Sequence, residues 1–174
     1  LVVLRVRLDA VDFVLVCGRK GDRMNDHDAP TRELFARIGA RESRVLKDCL
    51  EIATAKGDST KILGYIFTAE KHGYSSNVKT MAAIDTEFKL INIKVIEQAE
   101  TPGLGANCSS DSFAERFKVL LPEKLLVDKD GGEVKAMTGA TITTRAVTNS
   151  IRETIAIIRK DIESRANTLP EVEA

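Results

Sequence analysis

Leu4, Val6 and Leu8 alternate with Arg5 and Arg7 at the start of the chain, the two-residue period of a strand. "GRKGDRMNDHD" (18–28) then reads as a solvated loop. Asp28 and Pro30 predict a helix start, with Leu34, Phe35 and Ile38 as its apolar face and Gly39 as its end. From Val45 to Ala55 apolar and polar residues mix in a strand-like way, "KGDS" (56–59) is a turn, and "KILGYIFTA" (61–69) is β-rich, so these predict a hairpin. Two more β segments follow, "VKTMAAID" (78–85) and "KLINIKVIEQ" (89–98), joined across Asp85 to Phe88. "ETPGLGA" (100–106) breaks the β pattern with Pro102, Gly103 and Gly105. "SDSFAERFKVLL" (110–121) predicts a helix capped by Ser110 or Asp111, and "DKDGG" (128–132) a surface turn. The last helix is the clearest. Val147, Ile151, Ile155, Ile158 and Ile162 form one stripe, with Arg152, Glu153, Arg159, Lys160 and Glu163 on other faces.

Runs of neighbouring strands between helices predict an α+β fold. The expected architecture is a largely antiparallel twisted sheet with flanking helices and a long C-terminal amphipathic helix. The organisation divides into an N-terminal segment, 1–44, that precedes or packs on the core; a main domain, 45–165; and a frayed tail, 166–174.

Charge narrows the range of partners. Of 174 residues, 26 are Lys or Arg and 26 are Asp or Glu, so the net charge is zero. That balance argues against nucleic acid, whose phosphates call for a basic surface. Neither His27, His72 nor the scattered Cys17, Cys49 and Cys108 has the spacing of a zinc site. The cysteines read as small buried hydrophobes. The apolar opening is cut by Arg5, Arg7, Asp9 and Asp12, so it is neither a membrane span nor a good signal peptide.

Three small-residue segments could carry chemistry: "HGYSS" (72–76), "ETPGLG" (100–105) and "TGAT" (138–141). "TGAT" lies just before the long helix. Its structural reading is that Thr143 or Thr144 caps that helix by accepting a bond from a free backbone N–H. Its functional reading uses the same place, because a helix start carries about half a positive charge and free N–H donors suited to a phosphate. No Lys follows the Gly, so a P-loop is excluded. Pro102–Gly103 suits the centre of a type II turn. Glu100 has no paired acid nearby in sequence, so general acid–base catalysis lacks a second player. His72 reads as ordinary surface or as a ligand contact.

Taken in order, "HGYSSNVKTMAAID", "AETPGLGA" and "TGATITTRAV" resemble the FMN-binding domain family. They are similar to the G subunit of Rnf electron-transport complexes and to the C subunit of the sodium-translocating NADH:quinone reductase. The resemblance covers roughly residues 45–165. It implies flavin mononucleotide joined by a phosphoester bond to the last threonine of an Asp-x-x-Ser/Thr-Gly-Ala-Thr motif, here Thr141. Thr138, Gly139, Ala140, Thr143 and Thr144 would surround the phosphate. Glu100, Thr101, Gly103, Leu104 and Gly105, with His72, Tyr74 and Ser75, would border the flavin. The motif's acidic residue falls on Lys135. The implied role is a redox subunit of a membrane-bound, ion-translocating ferredoxin:NAD oxidoreductase, with no catalysis of its own. Its partners would be the other subunits and a flavin transferase. The domain would sit on the extracytoplasmic side of the cell membrane, held by a single-pass anchor outside this chain. The alternatives are a scaffold subunit without flavin and the FMN domain of another membrane reductase.

Overall fold

A computed structural model describes the backbone of residues 2–8, 11–17, 40–42, 49–56 and 59–166, and the side chains of residues 64–164. The first expected helix, the 18–28 loop, and the tail past Ala166 lie outside the described residues. Strands β1 (Val2–Leu8) and β2 (Val11–Cys17) form an antiparallel pair. Strands β3 (Ala40–Glu42), β4 (Cys49–Lys56), β5 (Ser59–His72), β6 (Asn77–Asp85) and β7 (Leu90–Glu97) follow one another as a five-stranded antiparallel meander. Both expected hairpins are present. With the long helix α2 (Thr141–Ala166) the architecture is α+β, as the sequence pattern predicts.

Tyr65, Phe67 and Ala69 of β5 and Val78, Ala82 and Ile84 of β6 recur with period two and share one face. The α2 stripe of Val147, Ile151, Ile155 and Ile158 is buried on that face, with Ile162 partly covered at its end. Each such isoleucine contributes about 1.5–3 kcal/mol through burial. Ile66, Met81 and Ala83 point to the opposite face and are buried as well. That explains the unbroken apolar stretches Tyr65–Phe67 of β5 and Met81–Ile84 of β6.

The helix expected over 110–121 is much shorter. Ser110 caps it as anticipated, its hydroxyl accepting the Phe113 N–H at 3.3 Å. The α-helical part, α1, ends after one turn (Asp111–Ala114), and a 3₁₀ turn closes it at Phe117. Phe113 and Phe117 enter the core edge to face, 5.1 Å apart. The chain then extends so that the Leu90 N–H donates to the Leu120 carbonyl at 2.8 Å and the Val119 N–H to the Leu90 carbonyl at 2.9 Å. Pairing with β7 has overridden a local helical pattern.

Candidate functional site

Glu100 ties "HGYSS" and the first turn of α2, just past "TGAT", to its own segment. The residue is buried, 5% exposed. Oε1 accepts the backbone N–H of Ser75 and of Ser76, each at 2.9 Å, and the Ser76 hydroxyl at 3.2 Å. Oε2 accepts the Tyr74 N–H at 3.1 Å and the Thr143 hydroxyl at 2.6 Å. Three successive N–H groups aimed at one anion make a backbone nest. Burial opposes ionisation, but the bonds from Thr143 and from the N–H groups of Ser75, Ser76 and Tyr74 outweigh it. They hold the carboxyl at about 2, so it is charged under all ordinary conditions.

Two glycines make room for that carboxylate. A Cβ on Gly73 would stand 2.7 Å from Oε1, and one on Gly105 would stand 2.7 Å from Oε2 and 2.8 Å from the Thr143 hydroxyl. Gly105 thus serves the buried anion and does not face outward. Gly103 differs. It adopts φ +76° in the turn closed by the Leu104 N–H on the Thr101 carbonyl at 3.1 Å, the type II geometry expected of Pro102–Gly103.

The helix start departs from expectation. Helix α2 begins at Thr141, so Ala140 occupies the capping position and offers no side-chain acceptor. Neither Thr143 nor Thr144 is the cap. Both are fully buried. The Thr143 hydroxyl is given to Glu100. The Thr144 hydroxyl donates to the Ala140 carbonyl at 3.0 Å and accepts the Met137 N–H at 3.1 Å, tying the preceding loop to the helix. With 3.6 residues per turn, Thr143 points roughly 200° away from Thr141 around the axis. Thr141 is therefore left half-exposed while Thr143 is buried. The first N–H groups of α2 have no carbonyl within the helix to bond.

An outward face results. Tyr74 (69% exposed), Ser75, Thr101, Gly103, Leu104 (45% exposed), Thr138 and Gly139 are open to solvent, with the half-buried Thr141 beside them. The Ser75 and Thr101 hydroxyls lie 3.5 Å apart, and the Leu104 methyl Cδ2 would stand 3.0 Å from a Cβ on Gly139, whose φ is +74°. The segments therefore meet in space. His72 is exposed at the end of β5, its Nδ1 3.0 Å from the Asn77 Oδ1, and none of its bonds reaches the other two segments.

Three residues at this face escaped the sequence reading. The Lys129 ammonium donates to the Thr141 hydroxyl oxygen at 3.2 Å. Arg145 clasps Asp130 through Nε at 2.6 Å and Nη2 at 2.8 Å. This pair fastens the "DKDGG" turn to α2. Arg145 lies four residues past Thr141, on the same side of the helix, a spacing legible in sequence. The approach of Lys129 is tertiary and left no such signal. Lys135 is exposed, and its carbonyl accepts the Arg116 Nη1–H at 2.7 Å. Cys108 is buried, and burial pushes its thiol up, as suits a small core residue.

Residues 73–156 match the family described as FMN-binding domain. The chain is 41% identical over 106 residues to the G subunit of the proton-translocating ferredoxin:NAD(+) oxidoreductase complex of Clostridium ljungdahlii, covering 59% of this chain and 56% of that protein. It is 33% identical over 95 residues to the G subunit of the ion-translocating oxidoreductase complex of Buchnera aphidicola, covering 51% and 47%. The match thus spans about half the length of these relatives. In fold it is similar to the C subunit of the Na(+)-translocating NADH-quinone reductase of Parabacteroides distasonis, with TM-score 0.51 at 21% identity, covering 64% of this chain and 61% of that one.

Proposed function

We propose that this chain, of the FMN-binding domain family over residues 73–156, carries flavin mononucleotide in phosphoester linkage to Thr141 and relays electrons as a subunit of an Rnf-type ion-translocating oxidoreductase. One observation carries the reading: Thr141 stands half-exposed on the first turn of an α-helix whose capping position is an alanine. The first N–H groups of the helix remain as donors for an external anion. The chain's residues fit the group. Thr141 would bear the phosphate, with Lys129, the first N–H groups of α2 and the exposed Thr138 hydroxyl around it. Tyr74 and Leu104 offer exposed apolar surface for a flavin ring. Glu100, Gly105, Thr143 and Thr144 hold these parts in place from behind.

Bound flavin supplies the one- and two-electron chemistry, and the protein supplies position and electrostatics. A covalent tether suits a relay, because an exposed cofactor that changes charge on reduction would otherwise be lost whenever one form bound weakly. The parent complex, its ferredoxin and NAD partners, a membrane location and an extracytoplasmic position for the domain belong to the same reading. No helix among the described residues is long and apolar enough to cross a membrane.

A second reading rests on Lys135, which stands where the family's acceptor motif has an acid. On that reading the domain is a scaffold that takes no flavin. Coexpression with a flavin transferase separates the two. The intact chain should gain the mass of one FMN less water, denatured protein should stay yellow, and Thr141→Ala should lose both properties. Flavinylation that survives in Thr141→Ala overturns the assignment. Wild type that stays unmodified with its own transferase favours the scaffold.

A further inference from the structure

We propose that Lys129 is a positioning residue for the acceptor: its ammonium neutralises and orients the phosphate carried on Thr141. This rests on the reading of Thr141 as the acceptor.

The first ground is how firmly the turn that carries the lysine is held. The Asp128 carboxylate Oδ1 accepts the Lys129 N–H at 2.9 Å and the Ala136 N–H at 3.2 Å, so the turn closes on the segment leading to "TGAT". The Asp128 N–H donates to the Val134 carbonyl at 2.9 Å, and Gly131 reverses the chain at φ +86°. Asp130 is bound at both oxygens by Arg145. That bond pulls the Asp130 carboxyl below its usual range and raises the Arg145 guanidinium, so both stay charged. The two acids that flank Lys129 in sequence are thereby engaged elsewhere. Among the described residues, Lys129 forms no ion pair, and its ammonium reaches the Thr141 oxygen.

The second ground is electrostatic. Glu100 already places a full negative charge behind the first turn of α2, bonded to Thr143. A phosphodiester on Thr141 would set a second negative charge at the same helix start. The helix offers about half a positive charge there, less than two anions require. A nearby cation removes that conflict, and Lys129 occupies the place where one is needed. An ammonium within hydrogen-bond reach of the ester oxygen can turn on its flexible stem to an oxygen of the same phosphate.

The test coexpresses the whole chain with limiting flavin transferase, as wild type, Lys129→Met and Lys129→Arg. The rate of mass gain, thermal stability and the ³¹P resonance of the modified protein are then compared. Lys129→Met should be modified about tenfold more slowly, the scale of one charge-assisted hydrogen bond. Its ³¹P resonance should move from the wild-type position, its melting temperature should not change, and Lys129→Arg should restore rate and resonance. Wild-type rate and resonance in Lys129→Met overturn the proposal while leaving Thr141 as acceptor. A slow rate accompanied by a lowered melting temperature makes Lys129 a structural residue and also overturns it. Wild type that is unmodified at Thr141 removes the underlying reading, and this inference falls with it.

Discussion

The Thr143 hydroxyl and the Glu100 carboxylate lie 2.6 Å apart across 43 residues of sequence. This bond ties the first turn of the long helix to the loop that ends the sheet. It also makes Glu100 an internal anchor of this face. Glu100→Gln should destabilise the domain by roughly 2–4 kcal/mol at neutral pH, because the amide cannot accept from every donor of the nest. Chemical denaturation of both proteins measures the difference.

The same carboxyl sets a pH dependence. Its folded value of about 2 lies below the ordinary 4.5, so the folded state favours the charged form. The contribution is complete above pH 4.5 and is lost as the pH falls toward 2. Stability measured across this window should fall more steeply in wild type than in Glu100→Gln. Equal slopes would remove Glu100 as the source.

Gly103 and Gly105 should respond differently to alanine. Gly105→Ala puts a methyl 2.7 Å from the Glu100 Oε2 and should cost about 1–3 kcal/mol by overpacking. Gly103→Ala meets nothing within 4 Å and should cost only the roughly 1–2 kcal/mol of a positive-φ alanine. Amide exchange distinguishes the two, since only Gly105→Ala should speed exchange at Ser75 and Ser76.

Thr141 and Thr143 offer the same contrast in one helical turn. Thr143→Val removes a bond to a buried charge and should lower stability by about 1.5–3 kcal/mol. Thr141→Val, at a half-exposed position, should change it by no more than about 0.5 kcal/mol. Thermal melts of the two variants side by side check this.

Ile151 is fully buried in the helix stripe. Ile151→Ala should cost about 2–5 kcal/mol through lost burial and a residual cavity, measurable as a fall in the denaturation midpoint.

The sequence by itself determined the α+β class, the two hairpins, the apolar stripe of α2, the Pro102–Gly103 turn and the three segments of the candidate site. Each of these is written in local terms: a period of two, a spacing of three and four, or a residue pair suited to one turn. It could not determine the length of the helix after Ser110, because the competing partner of Leu120 is Leu90, distant in sequence. Nor could it sort the threonines. A hydroxyl's role depends on which way the helix turns it and on what waits there, and Glu100 waits behind Thr143. Only the tertiary structure brought Lys129 to Thr141, because that approach depends on an Asp130–Arg145 pair closing across fifteen residues. Charge pairs act through space at a few ångströms, and the order of residues along the chain does not record that distance.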